Sequence, residues 1–122
     1  MHNLKELKIW NKAILLSVAV YKATTNFPKE EMYGLTSQIR RSAISIPSNV
    51  SEGAGRNSKK EFIHFLGIAN GSSYELQTQL IISNKLNLIT DEILQSLLKE
   101  IDEIQKMNYT FQKTINNQIL AV

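Results

Sequence analysis

The chain has 122 residues, with 14 Lys/Arg against 11 Asp/Glu, two histidines and no cysteine. That length suits one domain able to bury roughly two-thirds of its unfolded surface, and the missing thiols exclude disulfides and thiolate chemistry and fit a reducing cytoplasm. Apolar runs such as Ala13 to Leu16 fall far short of the about 20 residues a bilayer span needs and no signal peptide is visible, so a soluble, cytoplasmic protein without a membrane role is expected.

From Leu4 to Thr25 the spacing is helical, with Leu7, Trp10, Ile14, Val18 and Tyr21 on one face and Ile9, Ala13, Leu16, Val20 and Ala23 on a second. Lys5, Lys8, Lys12 and Lys22 hold the remaining side, interrupted by Leu15 and Ala19. A core-facing stripe needs only about 100° of circumference. The surplus therefore predicts another subunit against this helix, with Ile9, Ala13, Leu16 and Val20 as the candidate oligomer interface. Phe27-Pro28 ends the helix, because the residue before proline is pushed from helical angles. Glu30 and Glu31 suit the first turn of a second helix, where carboxylates meet the positive end of the macrodipole.

Leu35, Ile39, Ala43, Ile46, Val50 and Ala54 share one face of that second helix, yet Pro47 sits inside it. Proline removes an amide hydrogen and presses on the carbonyl four residues back, Ala43, which costs roughly 3 kcal/mol in a helix interior. Because the apolar spacing resumes in phase at Val50, a kink rather than a stop is expected, with Ser45, Ser48, Asn49 and Ser51 available to bond the freed carbonyl. Gly53 and Gly55 end the run.

Ser58-Lys59-Lys60-Glu61 has the form of a capping box for a third helix. It continues through Phe62, Leu66, Ala69, Ser73, Leu76 and Leu80, with an unusually small centre from Ala69 to Ser73. Thr90-Asp91-Glu92 caps a fourth, carrying Leu94, Leu97, Ile101, Ile104, Phe111 and Ile115, with Asn108 in the stripe as a frayed or register-setting position. The pattern predicts an all-α, antiparallel up-down-up-down four-helix bundle, kinked at Pro47. It forms a single domain over 1–122, with helices at about 4–25, 30–54, 58–86 and 90–117.

Residues 1–60 carry ten Lys/Arg against four Glu, a net +6, and residues 61–122 four Lys against seven Asp/Glu, a net −3. Such an asymmetry can mark a polyanion-binding face or be ordinary surface charge. Arg40, Arg41, Arg56, Lys59 and Lys60 are the candidate nucleic-acid-binding residues, the last three beside a helix N-terminus where amides favour phosphate. Aromatic interleaving that would stack single-stranded bases is not evident. If the second and third helices form a hairpin about Arg56, paired positions sum to about 113. That places Arg40 and Arg41 near Glu75, and Asn49 near His64. The row Arg41, Ser45, Asn49 and Glu52 is then either a buried seam paired to Glu75 or a ligand or nucleic-acid site. His2 is terminal, His64 is alone, and carboxylate pairs such as Asp91/Glu92 and Asp102/Glu103 suit helix caps or solvent, so no enzyme, metal or cofactor is expected.

The segments IWNKA (Ile9 to Ala13), FPKEEMYGLTSQIRRSAISIPSNVSEG (Phe27 to Gly53) and FLGIANGSSYELQTQL (Phe65 to Leu80) resemble the bacterial 23S ribosomal RNA intervening sequence proteins. Ser42 and Ser51 stand where alanine is usual, and Val50 where isoleucine is. The resemblance implies a four-helix bundle assembling as a ring-shaped homopentamer, with reading frames that in some bacteria lie inside insertions in the large ribosomal RNA gene. It also implies a fold similar to the nucleic-acid-binding accessory protein of diversity-generating retroelements. It carries over a motif of Arg40, Arg41, Pro47, Asn49, Glu52 and Gly53, with Glu75 and Gln79 on the third helix. The expected function is a non-enzymatic homo-oligomer that engages RNA or DNA through basic surface residues. The alternatives are a protein-interaction scaffold and a small-molecule pocket beside Pro47.

Overall fold

The computed structural model describes residues 3–121, and His2 lies outside them. Its four long helices are α1 (Lys8–Ala23), α2 (Leu35–Ala54), α3 (Lys59–Lys85) and α4 (Asp91–Leu120), with no strand among the described residues. Leu4–Glu6 is a separate 3-10 turn capped by Asn3. The Asn11 amide donates back to the carbonyls of Lys5 and Leu7 across the break. Glu30 and Glu31 likewise belong to a 3-10 turn, Lys29–Glu31, and α2 starts only after Gly34. Glu31 still does the expected work from outside the helix, accepting the Leu35 amide at 3.2 Å.

Ser58 and Thr90 cap α3 and α4 through the amides of Glu61 and Ile93. At the end of α3, Asn87 takes a positive φ of 62°. The Leu88 and Asn87 amides turn back to the carbonyls of Ser83 and Asn84, a Schellman closure that satisfies orphan carbonyls before α4 begins.

Neighbouring helices meet with residue numbers rising on one and falling on the other. Ser45 pairs with Ser72 and Gly53 with Phe62 across α2 and α3, Leu66 with Asn108 and Ser73 with Gln105 across α3 and α4, and Lys12 with Glu100 and Glu103 across α1 and α4. The Ser45–Ser72 pair puts the α2–α3 register about one turn further along α3 than the expected sum of 113. The core is drawn from all four helices, including Leu16, Ile39, Ile46, Leu66, Leu76 and Ile101. Lys12, expected at the solvent side of α1, bonds Glu100 at 2.8 Å and Glu103 at 2.6 Å. The hydrogen bonds that Lys12 donates to these carboxylates hold its ammonium above its ordinary value, and Lys12 in turn holds the Glu103 carboxyl below its own.

The interface row expected on α1 is corrected by the fold. Ile9, Ala13, Leu16 and Val20 are at most 3% exposed within one chain, so they are core and cannot meet a second copy. Of the other apolar row, Leu7 and Trp10 are partly buried against the core, while Val18 and Tyr21 are exposed. Leu15, at 70% exposure, Val18, at 47%, and Tyr21, at 39%, are the large apolar side chains α1 leaves exposed.

α2 runs without interruption through Pro47. The carbonyl orphaned by the proline is that of Ala43, and its donor comes from another helix: Ser17 Oγ on α1 donates to it at 3.1 Å, sharing its proton with Ala13 O at 2.9 Å. The expected local serines are otherwise engaged, Ser51 with Ser48 O and Ser45 with Ser72. Ser17→Ala is therefore expected to lower stability by about 1–2 kcal/mol, the cost of leaving a half-buried acceptor unpaired. In a Pro47→Ala background, where residue 47 again has an amide to offer Ala43, the same change should cost markedly less. Equal losses in denaturant titrations of both backgrounds would show that Ser17 does not serve this carbonyl.

Candidate functional site

The five basic candidates do not form one patch. Arg40 and Arg41 lie in the first half of α2, whereas Arg56, Lys59 and Lys60 lie past its far end, roughly 20 Å away at 1.5 Å rise per residue. Arg56 is already neutralised, bonding Glu52 at 3.0 Å and Glu61 at 3.6 Å and lying over the Phe65 ring at 4.9 Å. Lys59 and Lys60 are exposed in the first turn of α3 and enter no ion pair among the described residues.

Arg40 has a different setting. Its Nε donates to Thr24 Oγ1 at 2.9 Å, one terminal nitrogen donates to Tyr21 O at 3.4 Å, and the guanidinium sits 4.5 Å from the Tyr21 ring centroid. Thr24 is itself buried and donates to Val20 O, so the cation is fixed by neutral groups on α1 and by no carboxylate. Arg41, one position on, is exposed. The expected pairing with Glu75 is absent: Arg41 and Glu75 both face outward, and neither forms an ion pair among the described residues.

Both arginines line a cleft of about 630 Å³ with Tyr21, Met32, Tyr33, Thr36 and Ser37. The sequence shows no interleaving of aromatics with basic residues, yet the fold supplies it: Tyr21 comes from α1 and Tyr33 from the segment before α2. Tyr33 is 96% exposed, while Thr36 is buried and its hydroxyl has no hydrogen-bond partner.

The remaining motif residues divide by role. Asn49 donates to Ser45 O and Ser45 Oγ, and Ser45 Oγ meets Ser72 Oγ at 2.8 Å, so Ser45, Asn49 and Ser72 make the α2–α3 seam that the row Arg41 to Glu52 was expected to make. Glu52 serves Arg56, and Gly53 lies so near α3 that an added Cβ would sit 2.7 Å from Phe62 Cδ1 and 2.9 Å from Phe65 Cβ. Gln79 Oε1 is buried without a partner. Beside Pro47 lies an open apolar groove of about 400 Å³ bordered by Ile14, Ser17, Val18 and Ile44, the place where a small-molecule pocket was an alternative. His64 is exposed, edge-on to Phe65 at 5.3 Å, and is not joined to Asn49. Asp91 accepts from Asn84, Asp102 pairs with Lys106, and Glu103 with Lys12. Among the described residues no group of three potential metal ligands occurs, and no helix is long and apolar enough to cross a membrane.

Residues 5–110 match the model of the 23S rRNA-intervening sequence protein family. No curated protein matches the chain. Among solved structures, the chain is similar to a Bacteroides thetaiotaomicron protein of unknown function from the S23 ribosomal protein family. The TM-score is 0.78 at 27% identity, over 86% of this chain and 98% of that one.

Proposed function

The chain belongs to the 23S rRNA-intervening sequence protein family, and from that premise we propose that it works by binding and not by catalysis, as a cytoplasmic homo-oligomer engaging RNA or DNA through basic side chains repeated around a ring. The observation that carries the nucleic-acid part is the set of cations left without acid partners. Among the described residues only three of the 14 Lys/Arg, namely Lys12, Arg56 and Lys106, form ion pairs; Arg40, Arg41, Lys59 and Lys60 are unpaired, as are Lys5, Lys8, Lys22 and Lys29 in the same basic half of the chain and Lys85, Lys99 and Lys113 in the other. Unmatched charge of this kind binds phosphates with counterion release, and repetition around a ring turns weak contacts into avidity.

The oligomer is supported by two unlike surfaces, since a ring closes through heterologous contacts between different patches. One is the exposed Val18 and Ile44 that border the Pro47 groove, together with Leu15, exposed three positions before Val18 on α1. The other is the outer side of α3, where Ile68 is exposed and a Cβ added at Gly67 or Gly71 would meet nothing within 4 Å. Exposed glycines inside a helix each cost about 1 kcal/mol relative to alanine, a cost that close approach of a second backbone would explain. Five copies is the stoichiometry the family resemblance suggests.

Light scattering and electrophoretic shift with a structured RNA across a salt series test the reading together. The expected results are a mass several times that of the chain, and binding at low salt that weakens steeply as salt rises. Leu15→Glu should dissociate the oligomer without lowering helix content, and joint neutralisation of Arg41, Lys59 and Lys60 should weaken binding. A monodisperse monomer, or no shift at low salt, would sink the corresponding half. A nuclease-resistant protein pull-down with no RNA shift favours the scaffold reading, for which the Ser45–Asn49–Ser72 seam is the supporting feature.

A further inference from the structure

We propose that the cleft at the start of α2 takes one nucleotide with its base unstacked: the phosphate lies against Arg40 and Arg41 and the base against Tyr33. The inference rests on the nucleic-acid reading above and sharpens it, since it makes an unpaired position, and not the duplex backbone, the feature recognised. A free mononucleotide would offer the same chemistry.

Four observations converge on the cleft. Arg40 is a half-buried cation whose orientation is set by Thr24, Tyr21 O and the Tyr21 ring, with no carboxylate to balance it. Partly buried charge is tolerable when a counter-charge is supplied, and an anionic ligand would supply it. Arg41 lines the same cleft and is likewise unmatched, so the two guanidinium groups present planar donor forks suited to phosphate oxygens. Thr36, 3% exposed, also lines the cleft, and its buried hydroxyl has no hydrogen-bond partner in the protein, whereas the neighbouring Leu35 amide is already taken by Glu31 Oε2. A buried hydroxyl left unpaired is costly, and a ligand oxygen reaching it from the cleft would supply the missing partner.

The fourth observation is aromatic. Tyr33 stands 96% exposed at the mouth of the cleft, next to the half-exposed Met32. A ring so placed beside unmatched cations is the arrangement that stacks a base splayed from its neighbours, as single-stranded recognition does. The volume, about 630 Å³, lies within the range of roughly 300–1,000 Å³ for small-ligand sites and suits one nucleotide. The turn at the opposite end lacks these features, because Arg56 is already held by Glu52 and Glu61.

Fluorescence anisotropy with a labelled single-stranded RNA, the same sequence as a perfect duplex, and AMP tests the proposal. The single strand should bind more tightly than the duplex. Tyr33→Ala and Arg41→Ala should each weaken single-strand binding on the order of tenfold, while Tyr33→Phe, which keeps the ring, should bind as the unmodified chain does. Thr36→Val should also weaken binding, and light scattering should show every variant in the same oligomeric state. Two outcomes separate the cleft from the wider reading. If RNA binds but ignores Tyr33→Ala and Arg41→Ala and responds only to loss of Lys59 and Lys60, the cleft proposal falls and the nucleic-acid reading stands. If AMP binds with the expected variant sensitivity and no RNA does, the cleft stands and the nucleic-acid reading falls. A Thr36→Val change that moves only melting temperature overturns the ligand role of that hydroxyl.

Discussion

Gly53→Ala is expected to lower the melting temperature by roughly 4–8 °C, although alanine is the better helix former. Two effects of opposite sign compete at this position. Alanine gains about 1 kcal/mol in intrinsic propensity. Its methyl, however, would sit 2.7 Å from Phe62 Cδ1, 2.9 Å from Phe65 Cβ and 3.2 Å from Phe62 O. The Phe62 ring has little room to move, being 3% exposed and edge-on to Phe111 at 5.2 Å, and a Cβ at the root of α3 cannot swing aside at all. The helices must separate, and overpacking of this sort costs about 1–3 kcal/mol before the loosened contacts along the seam are counted. Gly55→Ala is the control, because there the added carbon would lie 3.5 Å from Ser51 O in ordinary contact and the backbone is already right-handed. A thermal melt in which both variants match the parent would mean that α2 and α3 are not in close approach at Gly53.

Asn108→Asp should be more damaging still at neutral pH, by about 3 kcal/mol or more. Asn108 is 1% exposed on α4, donating its amide to Leu66 O on α3 at 2.9 Å and accepting from Gln112. Aspartate would keep the acceptor but replace the donor with a second oxygen facing a carbonyl, and would bury a charge with no cation beside it. Burial disfavours the charged form, so the folded-state value of this carboxyl would rise above its unfolded value of about 3.9. An acid whose folded value is raised binds its proton more readily in the native state. The deficit is thus full above the folded value and shrinks as pH falls through it, disappearing below about 3.9. The variant's stability should therefore approach the parent's on acidification, read as converging denaturant midpoints between neutral and mildly acid pH. A gap independent of pH would mean that the side chain reaches water.

Much of the bundle could be read from residue spacing. The four amphipathic repeats and the caps at Ser58 and Thr90 follow from local rules that hold whatever the neighbours are; the continuation of α2 past Pro47 was legible in the apolar phase, but the donor for the freed carbonyl comes from α1 and not from the local serines. α1 was legible as a helix but not as an orientation. Its apolar residues ring the cylinder, and periodicity alone cannot say which row turns inward; the decision belongs to the shapes of the partners, which chose Ile9, Ala13, Leu16 and Val20. The seam was legible in its residue types and off by about a turn in its register, because the expected hairpin was centred on Arg56 while the chain needs room to set the Ser58 cap.

The candidate site was the least legible part. Arg40 and Arg41 stand out in the chain, but their setting depends on Tyr21 and Thr24, sixteen or more positions earlier, and on a short turn that carries Tyr33. No linear motif links these groups. A signal was nonetheless present: Thr24, Ser17 and Thr36 are hydroxyl residues set among apolar helical positions, where each needs a specific partner. Two find theirs on another helix, Thr24 at Arg40 and Ser17 at Ala43.

The bond from Ser17 to Ala43 also bears on how the molecule comes apart. A proline normally leaves a weak rung at which one rod frays while the rest persists. Here that rung is completed by a hydroxyl from the adjoining rod, so detaching α1 at once exposes the flaw in α2. The two segments are thereby tied into one cooperative unit, and amide hydrogens on either side of Pro47 should exchange with solvent only when both helices open together.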